Sequence, residues 1–145
     1  MAKTKDLINE LLVEVFNHIL SIEEKELRDR GVTLSMTEIH VLEAIKLSDI
    51  PTMTNVANRL RVTVGTLTTS IHTLVKKGYV LRTRGVEDKR VVNLKLTDLA
   101  KEALVIHDRF HDEMIDSALK DLNLSEDEVL IKSLEGVKEY FKNRY

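Results

Sequence analysis

The 145-residue sequence predicts a mainly α (α+β) fold, with helices along most of the chain and one small β-hairpin. Three observations predict it. Apolar residues recur at i, i+3, i+4 and i+7 in successive stretches, the spacing of a buried helix face. Only the run from Tyr79 to Leu96 breaks that period, and there Val92, Leu94 and Leu96 alternate with Asn93 and Lys95 as in a half-buried strand. Charge is also unevenly placed. Between Arg59 and Arg90 stand eight basic and two acidic residues, a net +6, in a chain whose total is −2, so the remainder carries −8. A basic module inside an acidic chain is the electrostatic footprint of a phosphate-binding surface.

Taken in order, Asp6–Arg28 reads as a helix whose apolar residues wrap more than half its circumference: Leu7, Leu11, Phe16 and Ile19 interleave with Ile8, Leu12, Val15 and Ile22. A helix apolar on two faces requires two partners, its own chain and a second subunit. Glu23-Glu24-Lys25-Glu26 gives it a polar, solvated exit. Ser35-Met36-Thr37-Glu38 is a capping box opening the next helix, with Ile39, Leu42 and Ile45 inside. A turn over Lys46–Pro51 leads, with Thr52 or Thr54 as N-cap, into a short helix over Thr54–Leu60.

Thr63 caps the following helix, Val64–Lys77. Val62 and Leu67 are spaced as a hydrophobic staple, and Leu67, Ile71, Leu74 and Val75 form the inner face. Gly78 supplies the left-handed stop, after Lys76 and Lys77 at the negative end of the dipole. The opposite face carries Gly65, Thr66, Thr69, Thr73 and Lys76, flanked by Thr68 and His72. Four threonines are poor helix formers. A solvated face would carry Glu/Lys pairs instead, whereas short hydroxyl side chains suit close approach to base edges, thymine methyls and phosphates. Strands over Tyr79–Arg84 and Arg90–Leu96, joined by a loop at Gly85–Lys89, complete a winged helix-turn-helix. Thr66, Thr69, Thr73 and His72 are placed to read bases, with Thr63 and Thr68 beside them. Lys76, Arg82 and Arg84 are placed to hold phosphates, and Lys89 adds charge at the hairpin tip.

Thr97 caps a long helix, Asp98–Lys120, with a stripe of Leu99, Ala103, Ile106, Phe110, Met114 and Ala118. A second capping box, Ser125-Glu126-Asp127-Glu128, opens a last helix with Leu130, Leu134, Val137 and Phe141 on one side. One chain of this size has no core left for the first helix and both last ones. Residues 1–34 and 98–145 are therefore expected to form a helical dimerisation region, around a DNA-binding domain at residues 35–97. A two-fold homodimer would set two recognition helices about one DNA turn or a multiple apart and would favour a palindromic operator.

The run VTVGTLTTSIHTLVKKGYVLRTRGVEDKRVVNLKLT, Val62 to Thr97, resembles the winged helix of MarR-family transcription regulators. The resemblance rests on Asp88-Lys89-Arg90 after the basic strand Arg82-Thr83-Arg84, and on the Leu-x-Leu-Thr ending at Thr97. It implies that Arg90 enters the DNA minor groove and that Asp88 steadies it. A narrow minor groove has an enhanced negative potential that favours an inserted Arg. Ser21–Gly31 (SIEEKELRDRG), Ser35–Ile45 (SMTEIHVLEAI), Val62–Val80 and His107–Met114 (HDRFHDEM) are similar to the members of that family that repress bacterial fatty-acid synthesis genes. That similarity implies long-chain acyl groups on acyl carrier protein as corepressor. The carrier is acidic, so its docking would draw on Arg28, Arg30 or the basic residues of the winged helix.

His107 and His111 share a helix face at i, i+4, and His40 lies in the second helix. The pattern also resembles zinc-responsive members of the family. These imply His40, His107, His111 and a carboxylate from Glu23 or Glu24, with Glu24 in the assigned set. The alternatives are a packing or hydrogen-bonding role for the histidine pair, or a place in an effector pocket. No Cys is present, so disulfides and thiolate sites are excluded. No nucleophile–base pair, catalytic carboxylate pair or phosphate loop appears, so an enzyme is not expected. No signal peptide or membrane span is evident, which makes the cytoplasm the expected location. A winged-helix module that binds protein rather than DNA is the remaining alternative.

Overall fold

The computed structural model describes residues 1–124 and 126–144. A helical rod begins with α1 (Ala2–Glu10), passes through a π-helical turn at Leu11–Val15 and continues as α2 (Phe16–Asp29). Then follow α3 (Met36–Leu47), α4 (Met53–Leu60), α5 (Val64–Lys76), the strands β1 (Val80–Arg84) and β2 (Val92–Leu96), α6 (Asp98–Leu122) and α7 (Glu128–Arg144). The order is that of a winged helix-turn-helix between helical extensions. Among the described residues no helix is long and apolar enough to cross a membrane.

The chain forms two compact units, Met1–Phe110 and His111–Tyr145. In the first, Ile39, Leu42 and Ile45 of α3, Val56 and Ala57 of α4, and Leu67, Ile71 and Leu74 of α5 bury against Val80 and Leu94 of the hairpin. Leu27 of α2 and Ala100, Ala103 and Leu104 of α6 close the same core. In the second unit no described residue of α7 is buried. There Tyr140 and Phe141 meet edge to face at 5.3 Å.

Four described helix ends are stopped alike, that of α6 by the Asn123 and Leu124 amides on Lys120 and Leu119. The Tyr79 amide donates to the Leu74 carbonyl and the Gly78 amide to Val75, with Gly78 at φ +86°. The Val32 and Gly31 amides repeat the arrangement on Leu27 and Arg28, and Val62 and Arg61 on Ala57 and Asn58. This paired-bond turn needs a left-handed residue, ordinarily glycine. At the turn between α4 and α5 the left-handed residue is Arg61, φ 56°, despite its Cβ.

The predicted caps are present on α3 and α5, and Thr52 caps α4. Ser35 Oγ accepts from the Glu38 amide at 3.2 Å and Glu38 returns the bond to the Ser35 amide at 3.0 Å. Thr97 accepts from the Ala100 amide and donates to the Gly78 carbonyl at 2.8 Å, tying the start of α6 to the end of α5. Ser125, assigned to the last capping box, lies outside the described residues. The α7 cap falls on Asp127, whose carboxylate accepts from the Leu130 amide at 2.8 Å.

Three further expectations differ from the structure. β2 begins at Val92 rather than Arg90, because the Arg90 amide donates to the Asp88 side chain in a local turn instead of joining the ladder. β1 begins at Val80, because Tyr79 completes the α5 stop. The buried stripe of α6 is Ala100, Ala103, Leu104 and His107, with Leu99 exposed. The Thr97 tie sets the rotation of that helix, so Ala100 faces inward. The rod keeps its apolar residues exposed through its first four turns, with Leu7, Leu11, Leu12 and Phe16 each about half accessible.

Losing the Ser35 hydroxyl removes an amide partner that water cannot fully replace at a half-buried site. Ser35→Ala is expected to lower stability by about 1 kcal/mol in urea denaturation. Glu38→Ala is expected to lower it further, since Glu38 also receives Lys77 at 3.0 Å from the end of α5.

Candidate nucleic-acid interface

The site is built on α5. Its cap is Thr63, whose Oγ1 accepts from the Thr66 amide at 3.1 Å. With Leu67, Ile71 and Leu74 buried, the helix turns Gly65, Thr69, His72, Thr73 and Lys76 outward. Of these only Thr73 is partly buried among the side-chain-bearing positions. The first turn holds no acidic residue, so the positive end of its dipole is uncompensated by side chains.

The wing stands beside it. Arg82 and Arg84, two apart on β1, share a strand face and pair in register with Leu94 and Val92. Arg84 Nη1 donates to the Lys89 carbonyl at 3.0 Å, which braces the loop across its neck. At the tip, Asp88 Oδ1 accepts from both the backbone amide and Nε of Arg90, and Oδ2 accepts from Nη2, at 3.0 to 3.1 Å. The Arg90 side chain nonetheless remains 92% exposed. Bonding to Arg90 holds the Asp88 carboxyl below its usual range. Gly85 is required at the neck, because a Cβ there would stand 2.5 Å from the Asp88 carbonyl oxygen.

An open groove between α5 and the wing is lined by Val64, Thr68, Arg82, Arg84, Asp88 and Arg90. Five residues assigned from the sequence thus meet in one place. Thr63 and Thr66 lie at the N-terminal end of the same helix and Lys76 at the other. Lys89 sits on the wing tip. Two basic residues outside the assigned set, Arg59 and Arg61, stand exposed at the α4–α5 turn, and Arg59 reaches back to the Leu47 carbonyl at 2.9 Å. The charge count of the module already contained them, but the helical period gave them no direction.

His40 and His107 have different surroundings. His40 is exposed, in a small recess with Val41, Leu60, Val62 and Thr66. Glu24 lines another recess with Arg28 and Leu34. His107 is instead buried at the junction of α2, α3 and α6. Its Nδ1 lies 3.2 Å from Glu43 Oε1 and 3.6 Å from Asp108 Oδ1, and its Nε2 lies 3.8 Å from Glu23 Oε1. Glu23, expected in a solvated helix end, is buried, because it stands one turn before the core residue Leu27. That spacing was readable from the sequence. Glu43 had no such signal, since its partner is 64 positions away. His111 follows one turn beyond His107 on α6.

The Glu43 carboxylate beside its ring raises the His107 pKa more than burial lowers it, and His107 in turn lowers that of Glu43. The histidine contribution to stability is therefore complete below 6.5, the ordinary histidine value, and is lost as pH rises through the raised folded-state value. The Glu43 contribution is present above 4.5 and is lost as pH falls through its lowered value. With chelator present, thermal stability is expected to be greatest between those limits and to decline as pH rises through the raised His107 value. His107→Gln should flatten the decline, and equal slopes in both proteins would refute the assignment.

A family model, the MarR family, matches residues 34–92. FabT of Streptococcus pneumoniae, solved in complex with DNA, is 34% identical with a TM-score of 0.85, over 97% of this chain and 99% of that one. The transcriptional regulator AdcR of Streptococcus pyogenes is 30% identical over 114 residues, 78% of this chain and 75% of that protein. A MarR variant from E. coli, complexed with operator DNA, is 25% identical with a TM-score of 0.73 over 92% of each chain.

Proposed function

The chain belongs to the MarR family of transcription regulators, and we propose that it is a sequence-specific repressor that binds palindromic DNA as a homodimer. The observation that carries the reading is the groove beside α5, where Thr68, Arg82, Arg84, Asp88 and Arg90 converge inside the +6 module. In this reading α5 enters the major groove and presents Thr66, Thr69, His72 and Thr73 to bases. Lys76, Arg82, Arg84 and Lys89 neutralise phosphates. Arg90, held by Asp88, enters the minor groove. Residues 35–97 read DNA, and residues 1–34 and 98–145 pair two chains. The exposed apolar residues of α1 and α2 support that pairing, because an apolar surface of this extent ordinarily finds a protein partner. A DNA target also fits the expected cytoplasmic location.

For the controlled genes and effector, we propose fatty-acid synthesis genes with long-chain acyl-acyl carrier protein as corepressor. The support is the sequence similarity described above, together with the match to FabT along nearly the whole chain. Arg28, exposed near the α2 terminus, is a docking residue for the acidic carrier in this reading. A second reading is a divalent metal effector, zinc by resemblance. One observation favours it: ligand atoms of Glu43, His107 and Asp108 all lie within 4.8 Å of one another. These residues fit the start of a metal site, with Glu43 and Asp108 where the expected set had Glu24 and His111, and without His40. Two arms separate the readings. Tighter operator binding with long-chain acyl-acyl carrier protein, and no effect of zinc, supports the first. Binding abolished by chelator and restored by zinc supports the second.

Arg90→Ala is expected to weaken operator binding by about 1–3 kcal/mol in a gel-shift titration at fixed salt. Unchanged affinity would remove Arg90 from the interface.

A further inference from the structure

Three threonine hydroxyls on α5 hydrogen-bond to carbonyls of their own helix. Thr68 Oγ1 donates to the Val64 carbonyl at 2.7 Å, Thr73 to the Thr69 carbonyl at 3.3 Å and Thr69, the longest, to Gly65 at 3.5 Å. A hydroxyl has one hydrogen and two lone pairs. Once the hydrogen is given to the carbonyl four residues back, what remains for a partner is an acceptor oxygen and a γ-methyl group. A phosphate oxygen requires a donor, so in this arrangement these threonines do not serve as phosphate clamps.

The base edges sort accordingly. Guanine shows the major groove two acceptors and is read most often by Arg or Lys. On α5 neither residue type occurs before Lys76. Thymine shows a C5-methyl group, and adenine shows an exocyclic amine that donates. A side chain reduced to an acceptor and a methyl matches both halves of an A·T pair. Gly65 adds to this. A Cβ placed there would meet only Thr63 Oγ1 at 3.8 Å, so the fold itself does not require glycine at that position. Leaving it bare lets a base edge approach the first turn closely.

Resting on the DNA-binding reading above, we propose that α5 selects its half-site through thymine C5-methyl groups and exocyclic amines. Thr69 and Thr73 are the discriminating residues.

The test starts from duplexes selected from random DNA by the full-length protein. Each thymine is replaced in turn by deoxyuridine, which removes only the methyl group, and affinity is measured by fluorescence anisotropy at fixed salt. At one or more positions in each half-site the replacement should weaken binding about fourfold, the worth of one buried methyl group. The double variant Thr69→Ser and Thr73→Ser, which keeps the hydroxyls, should lose the preference for thymine over uracil. The corresponding Thr→Val pair should keep it, and thermal unfolding will show that both variants fold. Equal binding of thymine and uracil at every position, half-sites dominated by G·C pairs, or a preference that survives in the serine variant would each overturn the proposal while leaving DNA binding intact. Absence of any salt-dependent DNA binding would instead overturn the functional reading and this proposal with it.

Discussion

Burial of one side of α5 is the constraint on which the rest depends. Leu67, Ile71 and Leu74 are 0–1% exposed, and removing side chains of this kind from water contributes roughly 1.5–3 kcal/mol each. With that face held against α3 and α4, the opposite face has no choice of direction. The ends are held as firmly. Thr63 caps the start, Gly78 turns the chain out of the helix, and Thr97 returns to bind the Gly78 carbonyl. Lys77 adds a charged tie to Glu38, which itself belongs to the capping box of α3. A reading surface on so restrained a helix gives up little conformational entropy on binding.

The wing uses a different physics. It has almost no core of its own beyond Val80 and Leu94. Its shape comes from hydrogen bonds: Arg84 across the neck, Asp88 around Arg90, and the Gly85 amide on the Val91 carbonyl at 2.8 Å. The Asp88–Arg90 pair is largely exposed, so it contributes little to stability. It fixes direction instead, because a bidentate carboxylate holds a planar guanidinium in one orientation while leaving it accessible.

Away from the interface, two charge contacts fasten α3 to α6. Glu43 meets His107, and Lys46 meets Asp108 at 3.1 Å. The first is buried on the histidine side and depends on protonation, whereas the second is half-exposed and screened by salt. They lie where α3 meets the long helix. The buried Glu23 brings α2 to the same point, and the apolar rod of α1 and α2 runs outward from it.

The sequence by itself determined the elements and the character of the interface. Helix period, the Ser35 and Thr63 caps, the Gly78 stop and the +6 charge cluster are local signals, because each depends on residues within a few positions of one another. Only the tertiary structure decided what depends on distance. It showed that Glu43, as well as the expected candidate Glu23, stands beside His107, and it placed His40 in an exposed recess. It also placed Glu23 inside and gave α6 the rotation imposed by the Thr97 tie. The threonine hydroxyls belong to this class as well. Composition placed four threonines on or beside one face, but that three of them bond to the preceding turn depends on their side-chain rotamers. That choice separates a surface that clamps phosphate from one that reads methyl groups and amines, and a string of residue types does not contain it.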